Sequence, residues 1–355
     1  MSKKVAIITC YEQPDYVRAV VLRRALSQIV GIKLTIVKNS NKNSLRYLEI
    51  IWKLLNLRIR QNPDIYLITF RGYEILPLVR IFGAGKKIIF DEFINPIEWF
   101  VYEHKKIKPN GLVRKSLQKI YTELLNGTQI ILTDTIAHAS YSANLLDLPL
   151  AKYKVIPVGT DEQVFKVMSD IEKEVKFTVF YYATMLPLHG LTIIFKAAER
   201  VNAKNKEVLF VIVGNKPGLK KLINKSVLKG ANIKHIEWLK FEALADYARR
   251  SHLCLGGPFG NTPQAQMVIT GKTYQFMSAG LPTVIGGIKD NTPFIDKQNC
   301  LLVQQGNADA LSEVILWAAD HPQELGEIGA KGRELFMQNF STAQIAKKLE
   351  SFILE

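Results

Sequence analysis

Short apolar runs rich in β-branched residues alternate with amphipathic segments of helical length along almost the whole chain, and this alternation constrains the fold more than any other feature. Strands covered on both faces read as nearly continuous apolar runs, and parallel neighbours need a crossover of helical length between them. Six such runs are expected in the first half, at 5–10, 33–37, 65–70, 87–91, 129–133 and 154–158. The second half repeats the plan at 177–183, 208–214, 233–238, 252–255, 282–286 and 301–303. The predicted fold class is therefore α/β, with two doubly wound parallel sheets. A chain of 355 residues is also too long for one ordinary core. Residues 161–176 are polar and charged and read as a linker, so the expected division is 1–165, 166–340 and a closing helix over 341–355 that packs back on the first domain. Two helices, 322–338 and 342–354, should close the chain around a hinge near Phe340.

Charge and cysteine content narrow the function. Cys10, Cys254 and Cys300 are scattered, with no Cys-x-x-Cys and no histidine cluster beside them, which argues against a disulfide framework or a structural zinc site and for a reducing, cytoplasmic setting. The apolar run 5–10 is too short for a signal-peptide core or a membrane span. The net charge is +15, and residues 1–165 hold 24 Lys and Arg against 14 Asp and Glu, or +10 of it. Within that half, 45–60 and 105–125 read as basic amphipathic helices with lysine and arginine beside aromatic and leucine positions. Such helices can lie on an anionic membrane surface, each basic residue near the lipid adding about 1 kcal/mol. They can equally be half-buried helices with a solvated basic face. No helix-turn-helix, RNP-like or zinc-finger pattern is present, so no nucleic-acid partner is expected.

The segment 256–287 carries the strongest functional signal. A strand empties into Gly256-Gly257-Pro258-Phe259-Gly260, residues that let backbone turn sharply or approach a ligand closely. Thr270 and Gly271 then read as the start of a short helix carrying Lys272 in its first turn, which Gly280 and Pro282 stop. A helix N-terminus with a lysine beside it favours a phosphate or diphosphate. The alternative is a solvated surface lysine with glycines that serve only chain reversal. His189 and Gly190 sit at another strand-to-helix turn, where an imidazole either donates to a phosphate oxygen or is satisfied structurally. Gly214 and the pair Trp238-Leu239 end two further strands, where backbone groups can meet a base and ribose. There is no Gly-x-Gly-x-x-Gly after the first strand, no Walker lysine loop and no Gly-x-Ser-x-Gly elbow, which argues against a dehydrogenase, a P-loop NTPase and an α/β-hydrolase.

Five fragments in order resemble the GT-B glycosyltransferases of glycosyltransferase family four, over most of the chain and most strongly over 177–340. They are 155–161 (Val-Ile-Pro-Val-Gly-Thr-Asp), the loop from Tyr182-Ala183-Thr184 to Leu188-His189-Gly190, the helix run 271–282, Asn299-Cys300-Leu301-Leu302-Val303, and the closing helices. The resemblance implies two Rossmann-like domains facing across a cleft. It also implies retaining transfer of a hexose from a nucleotide-diphosphate sugar to a glycan or lipid-linked acceptor, with the leaving phosphate taking the acceptor proton. The widespread form of the family carries a Glu-x7-Glu pair, matched here by Met267 and Gln275, and its diphosphate-gripping arginine and lysine match Thr184 and His189. The chain therefore resembles a variant branch in which Gln275 takes the ribose hydroxyls through its amide oxygen and Lys272 replaces one lost charge. Expected donor residues are His189, Gly190, Gly214, Trp238, Leu239, Phe259, Gly260, Thr270, Gly271, Lys272 and Gln275. Without an Asp-x-Asp, neither a metal nor any cofactor besides the donor sugar is expected.

For the acceptor, Asp91 and Glu92 end a first-domain strand and are expected to face the cleft. Asp91 is the leading candidate to orient or deprotonate the hydroxyl, ahead of Glu92 and His104. The basic first-domain helices suggest an acceptor at the inner membrane face. A nucleotide-sugar epimerase of the same fold and an inactive relative docking on anionic lipid are the competing readings.

Overall fold

The computed structural model describes residues 2–169, 171–288 and 292–355. The chain divides into two compact units, Met1–Gly159 with Thr342–Glu355, and Thr160–Ser341. In the first unit the order is β1 (Lys3–Thr9), α1 (Val17–Ser27), β2 (Ile32–Lys38), α2 (Leu45–Arg60), β3 (Ile65–Thr69), α3 (Leu76–Phe82), β4 (Lys87–Asp91), α4 (Pro96–Glu98), α5 (Leu112–Asn126), β5 (Ile130–Thr133), α6 (Ile136–Leu146) and β6 (Tyr153–Val155). The six strands form a parallel sheet in the order β2-β1-β3-β4-β5-β6, with Val5 of β1 opposite both Leu34 and Ile65. Every residue of β3 is buried because helices cover both faces of the sheet. Val21, Leu22 and Leu26 of α1 pack on one face. On the other lie Ile50, Leu54 and Leu57 of α2, Leu76 and Val79 of α3, Tyr121 and Leu125 of α5, and Ala139 and Ala143 of α6.

The second unit contains β7 (Thr178–Tyr182), α7 (Leu191–Lys204), β8 (Leu209–Val213), α8 (Leu219–Val227), β9 (Ile233–Ile236), α9 (Phe241–Arg250), β10 (Leu253–Leu255), α10 (Gly271–Ser278), β11 (Thr283–Gly286), β12 (Leu301–Val303), α11 (Ala308–Asp320) and α12 (Pro322–Asn339). Its parallel sheet runs β12-β11-β10-β7-β8-β9. Both orders contain a point where the winding reverses, between β1 and β3 in the first sheet and between β7 and β10 in the second. Crossovers leave such a point in opposite directions and open a crevice at the carboxyl ends of its two strands. The last helix, α13 (Thr342–Ile353), belongs to the first unit, where Ile345, Leu349, Phe352 and Ile353 join the α1 side of the core.

The two doubly wound sheets are those read from the sequence, with strand ends shifted by at most three residues. Three expectations change. The first unit ends at Gly159 rather than at 165, because Phe165 is buried in the second unit, edge-on to Phe241 at 5.3 Å, and its carbonyl accepts a bond from Ser278 Oγ at 2.7 Å. The expected linker, of which Asp170 lies outside the described residues, is tied to that unit too, where Lys173 Nζ donates to the carbonyls of Arg249 and Ser251. The helix expected over 105–125 begins only at Leu112, after Pro109, Asn110 and a Gly111 that occupies the position before the first turn. Among the described residues no helix is long and apolar enough to cross a membrane.

Leu349 is fully buried, so Leu349→Ala should destabilise the first unit by about 2–5 kcal/mol in urea unfolding. A cost near zero would mean that α13 is not part of that core.

Candidate active site

The second unit builds its site at the reversal between β7 and β10. After β7 the chain makes a short turn, Pro187–His189, and enters α7 through Gly190 at φ +64°. That angle favours glycine, and a Cβ there would also collide with the backbone of Phe259 and Gly260. Gly260 in turn presses on the Pro187 and Leu188 carbonyls and donates its N–H to Leu188 O at 2.9 Å. The loop after β7 and the loop after β10 are thereby joined backbone to backbone, with the N-terminal ends of α7 and α10 beside them.

Lys272, in the first turn of α10, is only 6 % exposed. Its Nζ lies 3.4 Å from His189 Nδ1, 5.3 Å from the centre of the Tyr181 ring and 5.6 Å from that of Tyr182. Among the described residues no carboxylate pairs with it. Burial pushes the amine down to about 7. Burial, followed by the lysine charge, holds His189 well below the usual histidine range, so the ring is neutral, and beside the protonated Lys272 amine its Nδ1 accepts. That tautomer leaves Nε2–H as a donor. A buried cation without a counter-ion is costly, and an anionic ligand removes the cost.

Gln275, one turn further along α10, is 3 % exposed, and its Oε1 accepts a bond from the Tyr182 hydroxyl. The amide oxygen expected to take ribose hydroxyls thus already holds one donor, with a single lone pair left. Thr270 does not cap the helix, because its hydroxyl donates to Gly256 O at 2.5 Å, locking the strand end to the helix start. Gly271 is the first residue of α10. Phe259 contributes only backbone here, since its ring is buried in the core 6.3 Å from that of Tyr181.

Gly214 lines a separate recess of about 230 Å³ at the ends of β8 and β9 with Asn215, Lys216, Gly218, His235 and Glu237, and His235 Nε2 lies 2.8 Å from Gly214 O. Trp238 is 65 % exposed beyond β9, and Leu239 packs instead on the apolar cluster beneath α9. Tyr181 and Tyr182 are absent from the donor residues expected from the sequence, although paired tyrosines at a strand's carboxyl end were the available signal.

The first-unit candidates Asp91, Glu92 and His104 lie in three different surroundings. Asp91 is fully buried and held by Arg18, with Nη2 at 2.8 Å and Nε at 3.1 Å, while Arg18 Nη1 also donates to Ile156 O and Pro157 O. A carboxylate clamped in this way ties β4 to α1 and to the segment after β6. Glu92 is buried too, accepting from Tyr121 Oη at 2.8 Å, with His138 Nε2 at 3.8 Å. Burial raises its carboxyl above the usual range. His104 alone of the three is exposed, edge-on to Trp99 at 4.3 Å. Among the described residues no three of His, Cys, Asp and Glu gather as a metal-binding group.

Around Glu92 lies a buried acid-base cluster. Glu98 is pushed up to about 8, by burial first and then by Glu103, Glu92 and Asp134 against His138. Burial opposes charge on His138, but its 2.7 Å bond to Asp134 and the neighbouring carboxylates lift it to about 9. Both groups bind protons more tightly in the folded state, Glu98 between pH 4.5 and about 8 and His138 between pH 6.5 and about 9, so each contribution to stability falls as pH rises through its window. Glu98→Gln keeps the neutral shape and should flatten the decline in unfolding midpoint between pH 5 and 8 by removing one titrating group; an unchanged slope would place the Glu98 titration elsewhere.

Residues 176–321 match the family model described as glycosyl transferases group 1. No curated protein matches the chain in sequence. Among solved structures, HepE of Anabaena in complex with UDP and glucose is 12% identical, covers 99% of both chains and superposes with a TM-score of 0.73. Sucrose-phosphate synthase of Thermosynechococcus elongatus is 13% identical over 99% of this chain and 98% of its own, with a TM-score of 0.77. A glycosyltransferase of Rickettsia africae is 13% identical over 100% and 99%, with a TM-score of 0.71. At these identities the solved structures speak for the fold, and the family model speaks for the second unit. Residues 176–321 thus match the glycosyl transferases group 1 model, and the chain as a whole has the two-domain GT-B fold of the glycosyltransferases it superposes on.

Proposed function

We propose that this protein is a retaining glycosyltransferase that takes a hexose from a nucleotide-diphosphate donor bound in its second unit and passes it to a glycan or lipid-linked acceptor at the cytosolic membrane face. The observation that carries the donor assignment is Lys272, a buried cation at a helix N-terminus with a neutral histidine beside it and no carboxylate partner among the described residues. A diphosphate supplies the missing negative charge, and the α7 and α10 N-termini add partial positive charge. HepE of Anabaena, which shares the fold, has been solved with UDP-glucose, which makes UDP-glucose the first donor to test.

In this reading Lys272 and His189 Nε2–H hold the leaving diphosphate, stabilising charge as the bond to the sugar C1 breaks. Gln275, oriented by Tyr182, meets the ribose. The fixed positive groups do the work of a cation, so the donor site is read as metal-independent. The leaving phosphate then accepts the acceptor proton, a role that neither Asp91 nor Glu92 is free to fill, with His104 left to position the acceptor.

The test is titration of the purified protein with UDP-glucose and other nucleotide sugars. A ligand at a hundred times its dissociation constant should raise stability by about 2.7 kcal/mol, in chelator as well as in magnesium. Lys272→Met removes a buried charge without a cavity and should weaken binding by about ten- to a hundredfold. Because the free amine titrates near pH 7 and the anion favours its charged form, wild-type affinity should fall as pH rises from 6 to 8, and the Met variant should lose that dependence. Binding that needs magnesium overturns the metal-independent part. No binding of any diphosphate sugar overturns the donor assignment, and an inverted anomeric proton coupling in the product overturns retention.

A further inference from the structure

The inner face of α2, with Ile50, Leu54 and Leu57, packs into the first unit's core. The opposite face is apolar as well. Leu45, Leu48, Trp52, Leu55 and Ile59 follow one another at spacings of three and four, each 46 to 73 % exposed. A surface helix ordinarily turns polar residues outward, and single exposed leucines are common, but a continuous stripe of five is not. Neighbouring helices add to it, with Ile81 on α3 and Leu112, Val113 and Ile120 on α5, all at least 60 % exposed. The buried residues of α2, α3 and α5 share one apolar cluster, so these helices cover the same face of the first sheet. Arg80 on α3 reaches across to Glu123 O on α5 at 3.0 Å.

The charges on α2 and α5 are predominantly positive. Helix α2 carries Arg46, Lys53, Arg58 and Arg60 against Glu49, and Glu49 is bonded by Lys53 at 2.6 Å. Helix α5 carries Arg114, Lys115 and Lys119 against Glu123. Apolar side chains flanked by cations match an anionic bilayer, in which the apolar groups enter the boundary between headgroups and acyl chains and the cations meet lipid phosphates. A second copy of the chain fits less well. It would bring like-charged flanks together, and one helical seam would leave the apolar residues of α3 and α5 uncovered.

We propose that the face formed by α2, α3 and α5 docks on an anionic lipid bilayer, with Leu48, Trp52 and Ile59 of the α2 stripe inserted and the exposed Arg60, Lys115 and Lys119 on the headgroups. This deepens the membrane-face part of the functional reading and rests on it, while donor binding in the second unit is independent of it.

The experiment is co-sedimentation of the full chain with vesicles of phosphatidylcholine alone and of phosphatidylcholine mixed with phosphatidylglycerol, alongside donor titration of the same preparations. Four proteins are compared: wild type, Trp52→Phe, Leu48→Ser with Trp52→Ser and Ile59→Ser, and Lys115→Gln with Lys119→Gln. All five positions are exposed, so the unfolding midpoint and donor affinity should stay at the wild-type values. Wild type should bind the anionic vesicles, with a blue shift of tryptophan emission absent from Trp52→Phe. The triple variant should bind at least about tenfold more weakly, and the lysine variant should lose mainly the salt-sensitive part of binding. Wild type that ignores anionic vesicles while still binding the donor overturns the docking proposal and leaves the donor assignment standing. A dimer in solution that the triple variant dissociates overturns it in favour of a second copy. Vesicle binding unaffected by the triple variant overturns the assignment to α2.

Discussion

A parallel strand cannot return to its neighbour through a tight turn, and that constraint shapes the rest of this molecule. Each of the two sheets is built by helical crossovers, and each winds outward in both directions from its first strand, β1 or β7. The crevice at the β7/β10 reversal follows from that winding. What makes it a site is the close backbone approach that Gly190 and Gly260 permit, which locks two loops together and sets two helix ends side by side.

Buried charge is met differently at Asp91 and His138 of the first unit and at Lys272 of the second. In the first, Asp91 is answered by Arg18 and His138 by Asp134, each at hydrogen-bond distance, so the charges hold elements in place. In the second, Lys272 has, among the described residues, a neutral imidazole and two aromatic faces around it and no carboxylate partner. A satisfied pair reads as architecture, and an unsatisfied cation at a strand's carboxyl end reads as a binding site.

Much of the site was legible in the sequence because its signals are local. Glycines, a lysine in the first turn of a helix and a histidine at a strand-to-helix turn are all visible within a few residues. The missed partners are distant. Tyr182 meets Gln275 from 93 residues away, and Arg18 meets Asp91 across 73, so a strand-end aspartate read as facing a ligand proved to be held by an arginine from another element. The helix expected over 105–125 starts late because its charge pattern extends past a proline and an Asn-Gly pair that break the backbone path.

The sequence by itself determined the two parallel sheets, nearly all strand positions and the lysine-bearing helix, because burial on both faces and turn chemistry are written into short stretches of chain. Only the tertiary structure decided which ionisable groups are paired, that Phe165 packs with the second unit, and that α2 is apolar on the side away from its core. Those outcomes depend on which distant elements come into contact, and hydrophobic periodicity carries no record of that.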